Sequence, residues 1–100
     1  MAVYLVTSCD ITDPEKYALY APNVMPILQK HGAEIVAADK NAITVDGEQR
    51  DLTVIMKFPT SEALTELISD PDYAPWMEIR LASTTNRATI IVGEFNPSQF

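Results

Sequence analysis

Two phrases, Asp13-Pro14-Glu15 and Asp70-Pro71-Asp72, recur along the chain, each a short step before a tyrosine. An acidic N-cap accepts an orphan N–H, a proline at the first helical position has no N–H to lose, and a second acid faces the positive end of the helix dipole. The repetition therefore predicts two helix starts in two halves of similar plan. Capping accounts for both aspartates without invoking a pair of catalytic carboxylates.

Around these phrases the apolar pattern fills in the remaining elements. Residues 3–11 are rich in β-branched and aromatic side chains and run as a strand into the first helix. In that helix Tyr17, Tyr20, Ala21, Val24, Ile27, Leu28 and His31 recur at steps of three and four, and Gly32 ends it. Pro22 and Pro26 each remove a backbone donor, which predicts a kink or break between Tyr20 and Pro26 and a crevice beside Tyr17 and Tyr20. Residues 33–38 read as a strand, residues 43–45 as a short extension, Asp46-Gly47 as a hairpin signal and residues 51–58 as a third strand. Pro59-Thr60-Ser61-Glu62 opens a helix carrying Ala63, Leu64, Leu67 and Ile68 inward, and Asp70-Pro71 restarts it. Within residues 71–82, Pro75 marks a join between a turn and a further helix; residues 83–87 read as a loop and residues 88–93 as the last strand.

The order is βαββαβ in one domain, residues 1–100, with a core of about residues 3–93 and a C-terminal tail of residues 94–100. The expected class is α+β, a ferredoxin-like sandwich with a four-stranded antiparallel sheet. Two helices cover only one face of such a sheet, and a wet second face requires alternation. Val54-Ile55-Met56, Ile90-Ile91-Val92 and Val3-Tyr4-Leu5-Val6 do not alternate. A chain this short buries only roughly two-thirds of its surface, so the second face is expected to meet another copy of itself in a homodimer.

Composition removes several partners. Seven Lys plus Arg against fourteen Asp plus Glu give a net charge of -7 with no basic run, which argues against nucleic acid. Cys9 and His31 are the only residues of their kinds, so neither an internal disulfide nor a Cys/His zinc site can be assembled. A carboxylate-rich metal site is the remaining alternative, while the expectation is no metal and no cofactor. No stretch approaches the ~18 apolar residues of a membrane helix, and no basic leader precedes the first strand, so a cytoplasmic protein is expected.

The ordered series Asp13-Pro14, Tyr17, Tyr20, Val24, His31-Gly32, Phe58-Pro59-x-Ser61 with Ala63, Pro71-Asp72-Tyr73, Arg80, Ala82 and Ile90-Ile91-Val92-Gly93 resembles the family called domain of unknown function 1330. The resemblance runs from about residue 3 to residue 93. It implies a dimeric α+β barrel, in which two ferredoxin-like subunits pack sheet to sheet. The chain departs from the family pattern at Gly32-Ala33, where a second glycine is common, near Leu67, where a tryptophan is common, and at Asp70, where serine is common. The wider superfamily includes cofactor-free monooxygenases and isomerases, while the family itself lends no reaction.

His31 and Tyr17 are the catalytic candidates: an imidazole titrates near neutrality, and a tyrosine hydroxyl donates to a ligand oxygen in an apolar cleft. Tyr20, Tyr73, Trp76, Arg80 and Asp13 are the candidate ligand-binding residues. Each has a structural alternative, namely packing for the aromatics, capping for His31 and Asp13, and for Arg80 an internal salt bridge to Asp13 or Asp72. That bridge is favoured over a ligand carboxylate, because a bare charge on an apolar face is costly and acids abound. Cys9 reads as a small buried hydrophobe. Two functions follow from this set. One is a dimer that binds or transforms a small apolar or carboxylated molecule without a cofactor, and the other is a non-enzymatic structural or ligand-sensing dimerisation module. Phe95 and Phe100 in the tail are candidates to reach the other subunit.

Overall fold

The structure, a computed structural model, describes residues 1–100. Strand β1 (Val3–Ile11) runs into Asp13, whose carboxylate accepts the Lys16 N–H at 3.1 Å and starts α1 (Pro14–Tyr17). The break in this helical region falls at Ala18 and Leu19, before α2 (Tyr20–Lys30), and not between Tyr20 and Pro26. Pro22 stands in the first turn of α2, where its missing N–H would have had no helical partner, so it favours the start instead of interrupting. Pro26 lies inside α2, which continues through it and buries Val24, Ile27 and Leu28. At the far end Gly32 adopts φ +73°, the Ala33 N–H reaches the Leu28 carbonyl and the Gly32 N–H reaches that of Gln29. This paired closure satisfies the last carbonyls and turns the chain at once into β2 (Glu34–Asp39).

The connection at residues 40–51 contains no further strand; Ile43 and Val45 are 90% and 89% exposed. Polar bracing wins over the apolar pair there, with Gln49 donating to the Ala42 carbonyl and accepting from the Thr44 N–H. Strand β3 (Leu52–Phe58) leads to Thr60, the N-cap of α3 (Ser61–Ser69). Leu64 and Leu67 are buried, whereas Ile68 is half exposed, contrary to its expected inward place.

Asp70 is not an N-cap. It closes α3, and its Oδ1 accepts the Asp72 N–H across a turn, so that the next helix, α4 (Ala74–Ser83), begins with Pro75 in its first turn. Residues 83–87 are also not a loop: β4 (Thr84–Gly93) follows α4 directly. Thr84 and Thr85 pair with Ile11 and Asp10, a shift in β1 between Ser8 and Asp10 absorbs the misfit, and Asn86 takes φ +51°. A short 3-10 turn, Pro97–Gln99, ends the chain.

The sheet is antiparallel with order β2-β3-β1-β4, the expected ferredoxin-like α+β arrangement. Its register puts Leu5 opposite Met56, Thr7 opposite Val54 and Thr89, and Cys9 opposite Leu52 on the face covered by helices. Under that cover sits the core of Val24, Ile27, Leu28, Phe58, Leu64, Leu67 and Tyr73, with Phe58 fully buried. The opposite face presents Tyr4, Val6, Ile55, Ile90 and Val92, of which Ile90 remains 58% exposed. No helix is long and apolar enough to cross a membrane.

Candidate functional site

Between the helical layer and the sheet lies a cleft of about 480 Å³, within the usual range for small-molecule sites. Of its 22 lining residues 18 are hydrophobic, and the other four are Thr7, Lys40, Arg80 and Thr89. The broken helix supplies Tyr17 and Tyr20, the turn before α4 supplies Tyr73, and α4 supplies Met77 and Arg80.

The three tyrosines form one group. Tyr17 and Tyr20 stack with centroids 5.6 Å apart, and Tyr20 meets Tyr73 edge-on at 6.4 Å. The Tyr20 and Tyr73 hydroxyls are hydrogen-bonded at 2.7 Å. Burial raises the Tyr17 phenol above its ordinary value. Burial, reinforced by the neighbouring Tyr73, pushes that of Tyr20 far above the tyrosine range. Both phenols are neutral hydroxyls at physiological pH, as an unperturbed tyrosine already is, and burial extends that state into more alkaline solution.

Arg80 is half-buried, and its Nη2 donates to the Thr7 hydroxyl at 3.1 Å and the Thr89 hydroxyl at 3.3 Å. The two threonine hydroxyls are themselves bonded at 2.9 Å across β1 and β4. The expected salt bridge to Asp13 or Asp72 is not formed. Asp13 is committed to the cap of α1, and Asp72 lies 3.7 Å from Lys30 at the other end of the helical layer. Cys9 is buried, and burial outweighs the nearby Arg80 charge to raise its thiol, which leaves no activated thiolate.

His31 is not part of this cleft. Its Nε2 lies 2.8 Å from Asp70 Oδ2, the same oxygen that accepts Lys30 Nζ at 2.9 Å. The His31 hydrogen bond, then the Asp72 N–H and then Lys30 hold the Asp70 carboxyl well below the usual carboxylate range. This cluster ties the end of α2 to the α3–α4 turn, so the grouping of His31 with Tyr17 and Arg80 is corrected: the helix delivers His31 to an internal acid. Trp76 packs against the core, and Asp13 serves its cap; neither lines the cleft. Tyr17, Tyr20, Tyr73 and Arg80 do come together there. Thr7, Thr89 and Lys40 were missed from sequence. For Thr7 a signal existed in its alternation with Leu5 and Cys9, whereas Thr89 depended on a β4 register that a loop reading of residues 83–87 obscured.

The structure is similar to solved proteins of the same fold. A protein of unknown function, RPA0582 from Rhodopseudomonas palustris, is 20% identical with a TM-score of 0.84, over 96% of this chain and 84% of that one. SnoaB, a cofactor-independent oxygenase from Streptomyces nogalater, is 10% identical with a TM-score of 0.67, over 95% and 94%. A dimeric protein of unknown function and ferredoxin-like fold from Bacteroides fragilis is 15% identical with a TM-score of 0.62, over 94% and 96%. No curated protein matches the sequence. The family model described as domain of unknown function (DUF1330) matches residues 2–95, nearly the whole length, and the chain belongs to that family.

Proposed function

We propose that the protein is a homodimer, joined through the uncovered sheet face, whose protomers each take a small and largely apolar molecule into the helix-sheet cleft without a cofactor. The observation that carries this reading is the cleft itself: a volume of about 480 Å³ walled almost entirely by apolar side chains. Such a wall gains by excluding water from an apolar guest. The exposed apolar stripe of Ile90 and Val92, beside Tyr4, Val6 and Ile55, supports association, as does the dimeric Bacteroides fragilis protein of similar fold. Turnover in the cleft is a second reading, favoured by the similar fold of a cofactor-independent oxygenase. In that reading Tyr17, a neutral phenol, serves as hydrogen-bond donor to the substrate.

Titration with the neutral fluorophore N-phenyl-1-naphthylamine tests the cleft, and sedimentation at micromolar concentration tests the dimer. One probe per protomer is expected, with binding abolished by Ala21→Trp, which fills the cleft from an exposed position on α2. A particle of about 22 kDa, twice the 11.1 kDa chain, is expected to fall to the monomer in Ile90→Lys. A probe that fails to bind, or that binds the filled variant equally, overturns the ligand reading. A monomeric wild type overturns the dimer.

A further inference from the structure

The chain carries twice as many acids as Lys and Arg, fourteen against seven, so a surface drawn from it at random is acidic. The cleft wall reverses that balance: it contains Arg80 and Lys40 and no Asp or Glu. Resting on the ligand-binding reading above, we infer that the occupant is an apolar monocarboxylate whose carboxylate is seated on Arg80.

Arg80 forms no salt bridge, and the acids expected to pair with it are engaged elsewhere. Asp13 caps α1, and Asp70 and Asp72 face Lys30 and His31. Its two hydrogen bonds both leave from Nη2, and both go to neutral hydroxyls. Nη1 and Nε donate to no protein group, while Thr7 and Thr89, bonded to each other, hold the Nη2 side against the sheet. Both parallel donor pairs of a guanidinium, Nε with Nη2 and Nη1 with Nη2, include the braced Nη2, so a carboxylate here is held by a charge-assisted hydrogen bond from the free Nη1 or Nε and by the cation's charge.

A neutral guest would shut water away from the half-buried guanidinium and return nothing to it, whereas an anion gains charge-assisted hydrogen bonds as water leaves. Tyr17, also in the wall and with a hydroxyl that makes no hydrogen bond within the protein, adds a neutral donor. Lys40 is exposed just beyond β2, so it attracts an anion toward the mouth without forming a second desolvated seat. One half-buried guanidinium in a wall that is otherwise almost entirely apolar implies one carboxylate on an apolar body. A phosphate, with more charge to satisfy, is poorly served by one guanidinium among apolar walls.

The test compares 2-naphthoate, 2-naphthamide and 2-naphthyl phosphate by calorimetric titration into the wild-type protein, with N-phenyl-1-naphthylamine as the neutral control. Naphthoate is expected to bind about 10- to 100-fold more tightly than the amide, the range of a charge-assisted hydrogen bond. Arg80→Gln is expected to erase that preference while leaving the neutral probe bound. Thr7→Val, which keeps the charge but removes one acceptor at Nη2, is expected to narrow it.

Equal binding of naphthoate and amide, or an unchanged preference in Arg80→Gln, overturns the inference. Tighter binding of the phosphate overturns the carboxylate class. If the neutral probe binds and naphthoate does not, the anion inference falls while the ligand-binding reading stands. If neither binds, the ligand-binding reading itself has failed.

Discussion

The Tyr20–Tyr73 hydroxyl pair offers a sharp test of the helical layer over the cleft. Tyr73 is 8% exposed, Tyr20 is half-buried, and their oxygens are 2.7 Å apart. Replacing either by phenylalanine removes one hydrogen bond and leaves the other hydroxyl short of a partner in a mainly apolar setting. Each single change is expected to cost about 1–2 kcal/mol. Replacing both removes the stranded group as well, so the double variant is expected to lose less than the two single losses combined, with a coupling of about 1 kcal/mol. Urea unfolding at one fixed chain concentration reads these values directly, since a dimer's midpoint moves with concentration. The same pair sets an alkaline limit. The folded Tyr20 pKa lies far above the ordinary 10.0, so its contribution is fully present below pH 10 and is lost as pH rises from there toward the folded value. Over that range it lowers stability by about 1.4 kcal/mol per pH unit, and Tyr20→Phe is expected to remove that share of the slope. Strictly additive single changes, together with an unaltered alkaline slope, would refute the reasoning.

Other parts of the fold give simpler expectations. Asp70 has a folded pKa below the ordinary 3.8, so its stabilisation is present above that value and is lost as pH falls toward the folded one; Asp70→Asn should flatten the acid limb of the urea midpoint against pH, and an unchanged limb would remove the clamp from the account. Gly32→Ala places a Cβ 3.2 Å from Pro59 Cγ at φ +73° and is expected to cost about 1–2 kcal/mol, read as a lower thermal midpoint. Asp13→Ala should cost about 1 kcal/mol through the lost cap while binding of the neutral probe stays unchanged. Lost binding at full stability would instead give Asp13 a place at the ligand.

Much of the fold was legible because its strongest signals are local. The Asp13 cap, the Gly32 stop and the apolar period of α2 each involve residues within a turn or two of one another, and the element order follows from them. Misreadings arose where a local cue was outbid by distant partners. Asp70 carries the same phrase as Asp13, yet His31 and Lys30, some forty residues away, bind its carboxylate and convert a helix start into a clamp. The polar residues 83–87 look like a loop until Thr84 and Thr85 find Ile11 and Asp10 across the sheet. Pro22 looks like a breaker until the position of the helix start is known.

The candidate site shows the same division between local and distant information. A lone arginine on an apolar helix face announces a charge in need of compensation, and fourteen acids made an internal partner the simplest expectation. Counting acids says nothing about where they go, and Asp13, Asp70 and Asp72 are spent on a cap and on the α2 terminus. What meets Arg80 instead is a pair of threonines from the first and last strands. A carboxylate at either threonine position would stabilise the arginine more strongly, but it would also neutralise the cation. Two hydroxyls fix the guanidinium while leaving its charge intact, which is what the proposed seat for an external anion requires and what an internal salt bridge would have removed.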